Sequence, residues 1–137
     1  MSDAIPILLI DGNHKDREYY AQRLKASSPD YDVVQAWTGQ SGLAVCSRQP
    51  IECVILEIDL PDMSGFEVLA KLVPRALQPE IAVIVLTTLS NPFLLELAMK
   101  NGAKAAFHKT MMSGDILDKA VFKAISTVKT KVESKLR

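Results

Sequence analysis

Five short apolar segments, separated by stretches with helical character, dominate this sequence. They fall at residues 5–10, 31–36, 51–56, 81–86 and 104–108. Helices are predicted from Asn13, which can serve as an N-cap, to near Ser27, over 38–47, over 65–73, from Pro92 to Lys100, and from near Ser113 onward. Strands that alternate with helices in this way predict a parallel sheet with right-handed crossovers and helices on both faces.

The length and charge of the chain restrict the classes of protein to which it can belong. A chain of 137 residues suits one domain with one substantial core, and equal numbers of basic and acidic residues argue against a nucleic-acid domain. No apolar run approaches the roughly 20 residues that span a bilayer, so we expect a cytoplasmic protein. Cys46 and Cys53 are expected to be reduced thiols, and His14 and His108 to be surface or strand-edge side chains rather than catalytic ones.

Four of the predicted strands end at a polar residue. These residues are Asp11, Glu57, Thr87 and Lys109, after strands one, three, four and five. In an open α/β sheet such ends converge where ligands bind, so two acids, a hydroxyl and an ammonium are predicted to share one pocket. The sequence contains neither G-x-G-x-x-G nor G-x-x-x-x-G-K-[ST], so the usual dinucleotide and nucleoside-triphosphate sites are not expected.

In this order and spacing, the motifs resemble the receiver domain of bacterial two-component response regulators. They are Leu9-Ile10-Asp11, Glu57 with Leu60-Pro61-Asp62-Met63-Ser64-Gly65, Leu86-Thr87, and Gly102-Ala103 leading to Lys109. The resemblance implies a flavodoxin-like three-layer α/β sandwich with five helices and strand order 2-1-3-4-5. We expect the receiver domain over residues 1–128 and an extension of the last helix, or a linker, over 129–137.

The resemblance also implies a chemistry for the pocket. In the family, an aspartate after strand three accepts a phosphoryl group from a histidine kinase, and acids after strand one hold Mg²⁺. The lysine pairs with the phosphoryl oxygens and the threonine bonds to the phosphoryl group. These roles would fall to Glu57, Asp11, Lys109 and Thr87. They suit the preference of Mg²⁺ for carboxylate oxygens and of anionic oxygens for an ammonium.

The chain departs from that pattern at several positions. Glu57 replaces the acceptor aspartate, and Gly12 stands where a second acid is usual. Ala106, followed by Phe107, replaces an aromatic residue, and Thr110 replaces a proline. The glutamate carries its carboxylate about 1.5 Å further, into the space of the phosphoryl group or the metal. We therefore expect phosphorylation to be lost or severely weakened.

The expected function is signalling through protein–protein contact, with at most autocatalytic phosphoacceptor chemistry. Glu57 is expected to pair with Lys109 and to hold the pocket in one state. A weak or lost Mg²⁺ site would use Asp11, Glu57 and Asp59. The expected interaction face is formed by helix four, strand five and helix five, and includes Ala106, Phe107 and Lys109. A histidine kinase, an output domain, a downstream protein or a second copy of the chain would bind it.

Several alternatives stay open in the sequence. The chain could be a working Mg²⁺-dependent phosphoacceptor in a phosphorelay, modified on Glu57 or Asp59. It could also be a small flavodoxin-like cofactor binder or hydrolase, although no nucleophile–base–orienter set is evident. The last helix could fray after Val128 or continue as a connector. Its apolar stripe comprises Leu117, Val121, Ala124, Ile125, Val128, Val132 and Leu136.

Overall fold

One parallel sheet of five strands, in the order β2-β1-β3-β4-β5, forms the centre of the structure. The structure is a computed structural model that describes residues 4–135, with side chains through Val128. The strands are β1 (Ile5–Ile10), β2 (Tyr31–Ala36), β3 (Cys53–Leu56), β4 (Ala82–Thr87) and β5 (Ala105–His108). The helices are α1 (His14–Ser27), α2 (Gly39–Arg48), α3 (Gly65–Leu72), α4 (Phe93–Lys100) and α5 (Gly114–Lys135). The predicted fold class and strand order are confirmed.

Helices cover both faces of the sheet because each central strand is apolar on both sides. In β1, Ile7 and Leu9 pack against α1 and α5, whereas Leu8 and Ile10 face the side of α2, α3 and α4. This follows from the two-residue period of a strand, which sends alternate side chains to opposite faces. Each such side chain, when fully buried, contributes about 1.5–3 kcal/mol to folding.

Element boundaries differ from the predicted ones by one or two residues. The third strand begins at Cys53 and the fifth at Ala105, each later than expected. Pro92 is the N-cap of α4 rather than its first residue, while the Asn91 side chain accepts a hydrogen bond from Phe93 N–H. The helical backbone of α5 continues past Val128 to Lys135, about 33 Å in all. The Val132 side chain and Leu136 lie outside the described part of the chain.

Backbone hydrogen bonds continue beyond the last residues of β1 and β3. Asp11 N–H donates to Ala36 O at 3.0 Å, and Glu57 N–H donates to Ile10 O at 2.9 Å. The two acids are therefore held side by side by main-chain contacts. This fixes the starting points of their side chains at the carboxyl edge of the sheet.

The turn after Glu57 is fastened at two points. Ser64 caps α3 by accepting a hydrogen bond from Phe66 N–H at 3.1 Å. The Asp62 carboxylate accepts from Gly39 N–H at 2.8 Å and Gln40 N–H at 2.9 Å, and so caps the neighbouring helix α2. The bonds from Gln40 and Gly39 lower the pKa of Asp62 below its ordinary value. The turn is thereby tied to two helices.

A substitution at Gly65, the first residue of α3, tests how tightly the turn after Glu57 is packed. A Cβ there would lie 2.5 Å from Glu57 O and from Ile58 Cα, so the backbone itself would have to move. We expect Gly65→Ala to lower the free energy of unfolding by about 2 kcal/mol, as overpacking does. Gly12→Ala is the matched control, because its Cβ would approach only Pro61 Cδ closely, at 3.1 Å. Urea unfolding measures both, and equal losses would contradict this account.

Candidate functional site

The carboxyl edge of the sheet contains an open depression of about 380 Å³. Its walls come from the loops that follow β1, β3, β4 and β5. They are formed by Asp11, Gly12, Asn13, Glu57, Asp59, Leu60, Pro61, Thr88 and Lys109. The loops therefore bring together three of the four strand-end residues that the sequence predicts at the site: Asp11, Glu57 and Lys109.

Lys109 lies at the centre of a cluster of three carboxylates. Its Nζ is 2.7 Å from Asp11 Oδ2, 2.9 Å from Asp16 Oδ2 and 3.1 Å from Glu57 Oε1. The Lys109 side chain is only 8% exposed. An ammonium has three N–H donors, so each can be directed at a different carboxylate. The ion pair expected between Glu57 and Lys109 is present, as one of three.

The Glu57 carboxylate is also held by the backbone. It is 3% exposed, and its Oε2 accepts from Asp59 N–H at 3.1 Å. Its Oε1 accepts from Thr88 N–H at 3.1 Å and lies 3.4 Å from the Thr88 hydroxyl. Two amides and one ammonium thus surround this carboxylate and fix its orientation.

The cluster contains more acidic than basic groups, because three carboxylates share the one ammonium of Lys109. Burial alone would lower the pKa of the Lys109 ammonium, but the hydrogen bonds to Asp11 and Asp16 and the charges of Asp11 and Glu57 raise it. Burial raises the pKa of Asp11, against the Lys109 and Asn13 hydrogen bonds that lower it. The lysine therefore stays cationic, and Asp11 takes up a proton more readily than an exposed aspartate does.

The Thr87 hydroxyl, which the sequence predicts for the pocket, is engaged by the backbone in this structure. Thr87 is fully buried, and its Oγ1 accepts a hydrogen bond from Leu89 N–H at 3.1 Å. The threonine that contacts Glu57 is Thr88. Successive residues at a strand end point in opposite directions, so only one of two adjacent threonines can face the pocket.

Asp16 is a site residue that sequence reasoning missed. The sequence places it only in the first turn of the helix that begins after Asn13, and the Asn13 side chain accepts a hydrogen bond from its N–H at 3.0 Å. The available signal was that α1 begins directly after Asp11. An acid in its first turn therefore lies at the same edge of the sheet.

The residues predicted for the interaction face do not share one surface. Ala106 packs on the side of α2, α3 and α4, and Phe107 packs on the side of α1 and α5. The Lys109 ammonium lies inside the pocket. The first two belong to adjacent positions of β5, which explains their opposite directions.

The predicted metal ligands are only partly assembled. Asp11 and Glu57 both contact Lys109, whereas Asp59 is exposed at the rim. Over the residues that the structure describes, no group of three or more His, Cys, Asp or Glu side chains is arranged to hold a metal ion.

In the same part of the chain, no helix is both long and apolar enough to cross a membrane.

Solved structures of other proteins share this fold. The chain aligns over 96% of its length with 97% of the signal receiver domain of a putative Luxo repressor protein from Vibrio parahaemolyticus, with a TM-score of 0.84 and 24% identity. A response regulator receiver domain protein from Clostridium thermocellum gives a TM-score of 0.82 and 26% identity, over 92% of this chain and 98% of that one. The first likeness, at this identity, concerns the fold alone.

Sequence relatives agree with the structural ones. The transcriptional regulatory protein UhpA of Salmonella typhimurium is 32% identical over 114 residues, which are 82% of this chain and 55% of that protein. A probable cyclic di-GMP phosphodiesterase of Vibrio cholerae is 32% identical over 97 residues, 71% of this chain and 21% of that protein. The chain thus spans about half of one relative and a fifth of the other. The family model of the response regulator receiver domain matches residues 7–121 of this chain. The chain therefore belongs to that family.

Proposed function

We propose that this receiver domain signals by protein–protein contact without a phosphoryl cycle, because the Glu57 carboxylate permanently occupies the hydrogen-bond donors of the pocket. The observation that carries the proposal is the set of donors around its carboxylate: Asp59 N–H, Thr88 N–H and the Lys109 ammonium. Such a set of amides and a cation suits an anionic group with several oxygens. An entering phosphoryl group would have to displace the glutamate from all of them.

The identity of the acid at position 57 supports this proposal. By the family resemblance, Glu57 stands at the phosphoacceptor position, with a carboxylate about 1.5 Å further out than that of an aspartate. It carries one negative charge, against nearly two for a phosphoryl group, and has two acceptor oxygens instead of three. Glu57 thus imitates part of the modified state and holds the pocket in a single arrangement.

The arrangement of the acids also argues against a strong Mg²⁺ site. Mg²⁺ demands a near-octahedral set of oxygen ligands. Here one oxygen each of Asp11 and Glu57 faces the Lys109 ammonium, and the other accepts a backbone N–H. Gly12 supplies no carboxylate. The residues as arranged do not fit the ion well, and we propose that Lys109 serves as the internal cation of the pocket.

Exposed apolar side chains support an output through protein contact. Phe93 on α4 is 72% exposed and Phe122 on α5 is 71% exposed, and Leu97 adds to the apolar surface of α4. Exposed aromatic residues of this kind serve as anchors at protein interfaces. We propose that a kinase, an output domain, a downstream protein or a second copy binds the face formed by α4, β5 and α5, in the cytoplasm. No catalytic turnover is assigned to the domain.

Incubation with a small phosphodonor tests the central claim. We expect the chain, mixed with acetyl phosphate and Mg²⁺, to show no gain in intact mass, because Glu57 already occupies the donors of the pocket. The double variant Glu57→Asp with Gly12→Asp is the positive control. A stoichiometric gain of one phosphoryl group by the unmodified chain, on Glu57 or on the exposed Asp59, would instead establish the working phosphoacceptor.

Restoring the two acids should restore metal binding. We expect Glu57→Asp with Gly12→Asp to bind Mg²⁺, and beryllofluoride in its presence, at least about tenfold more tightly than the unmodified chain. Two carboxylates then face the metal position. Isothermal titration calorimetry measures both affinities.

The matched control for the metal experiment is Glu57→Asp with Gly12→Asn. This variant makes the same demand on the space near Pro61 Cδ, 3.1 Å from the added Cβ, without adding a charge. It should bind Mg²⁺ less tightly than the double-aspartate variant. Equal affinity of the unmodified chain and the double-aspartate variant would refute the role given to Glu57 and Gly12.

A double-mutant cycle tests whether Lys109 serves as the internal cation that compensates the buried charge of Glu57. Lys109→Met should lower the free energy of unfolding by about 3 kcal/mol, because buried carboxylates lose their partner. Glu57→Gln should destabilise the unmodified chain but stabilise the Lys109→Met background, where it removes an uncompensated buried charge. Asp16→Asn, at the most exposed of the three partners, should cost less than about 1 kcal/mol. Urea unfolding at pH 7 measures all five proteins, and an effect of Glu57→Gln with the same sign in both backgrounds would contradict the account.

A further inference from the structure

A histidine at the end of β5 contacts the loop that follows β4. His108 pairs with Thr87 in the sheet, and its Nε2 reaches one residue further, to the Thr88 carbonyl oxygen at 3.1 Å. Its Nδ1 lies 2.7 Å from Thr110 Oγ1 and 3.2 Å from Thr110 N. Both nitrogens of the ring are therefore engaged, on opposite sides.

A single tautomer satisfies all of these contacts. A carbonyl oxygen can only accept, so the proton lies on Nε2 and is donated to Thr88 O. Nδ1 then has a lone pair that accepts from Thr110, whose N–H and hydroxyl both point to it. This assignment comes from the hydrogen-bond network, and it gives a neutral ring held in one orientation.

Thr88 connects this histidine to the pocket. Its carbonyl oxygen is held by His108, while its N–H and hydroxyl face Glu57 Oε1 at 3.1 and 3.4 Å. Thr88 follows the last residue of β4, so the register of the sheet does not extend to it. Its carbonyl oxygen is therefore held by a side chain, that of His108, and not by the ladder of the sheet.

We infer that His108 is a positioning residue that orients Thr88 so that its N–H faces Glu57. The inference rests on the proposed role of Glu57 as the permanent occupant of the pocket. His108 is the polar side chain of β5, whose other residues are Ala105, Ala106 and Phe107. Thr110 makes the arrangement possible, since a proline there would offer Nδ1 neither an N–H nor a hydroxyl.

Amide exchange measured by NMR on the whole chain tests this role. In His108→Ala, we expect the Thr88 amide to exchange about fivefold faster, the size of effect that loss of one net hydrogen bond produces. The Asp59 amide, which binds the other oxygen of Glu57, should keep its rate. His108→Gln, whose side-chain N–H can reach the same carbonyl oxygen, should restore slow exchange of Thr88. His14→Ala, the control at the other histidine, should change neither amide.

Faster exchange of both amides to the same extent, or an unchanged Thr88 amide in His108→Ala, would overturn the inference. If His108→Ala does not fold, Thr110→Val replaces it. That variant removes only the hydroxyl that holds Nδ1 and should speed Thr88 exchange about twofold; no change would overturn the inference. The exchange experiment uses no phosphodonor, so the two proposals can fail separately. Uptake of a phosphoryl group by the unmodified chain would refute the proposed function, whereas the amide exchange rates alone decide the role of His108.

Discussion

The shared ammonium of Lys109 is the interaction on which the acidic edge of this sheet depends. Because β1 and β3 are neighbours, Asp11 and Glu57 leave the sheet side by side, and two buried like charges repel strongly at low dielectric. Lys109 comes from the loop after β5, two strand positions from β3, and its long side chain crosses that gap. The placement of the edge strand is thus coupled to the chemistry of the central strands.

The same cluster limits what the pocket can bind. A new anion would compete with Glu57 for two amides and an ammonium, and a new cation would compete with Lys109 for Asp11 and Glu57. Either ligand would first have to break contacts between buried charges, which costs several kcal/mol when one partner is left alone. A site whose charges are already paired within the chain is therefore a structural element as much as a binding site.

The sequence predicts most of this arrangement because the backbone topology, rather than packing detail, determines it. Asp11, Glu57 and Lys109 follow strands whose apolar runs are evident, and parallel strands bring such ends together. Thr88 and Asp16 were not identified, because their roles depend on side-chain directions beyond the last ladder hydrogen bond and in the first turn of a helix. The opposite directions of Ala106 and Phe107 follow from the two-residue period alone and were open to prediction from the sequence.

The loop between β4 and α4 offers a short path from the pocket to the surface. Thr88 contacts Glu57, Thr87 Oγ1 accepts from Leu89 N–H, and Asn91 Oδ1 accepts from Phe93 N–H at the start of α4. Only a few residues, most of them fastened by side-chain hydrogen bonds, separate the buried carboxylate from the exposed ring of Phe93. Transmission along such a path requires two alternative arrangements at its origin. If Glu57 holds the origin in one arrangement, as we propose, α4 keeps a constant surface, and regulation would act on the encounter with a partner rather than on the shape of the domain.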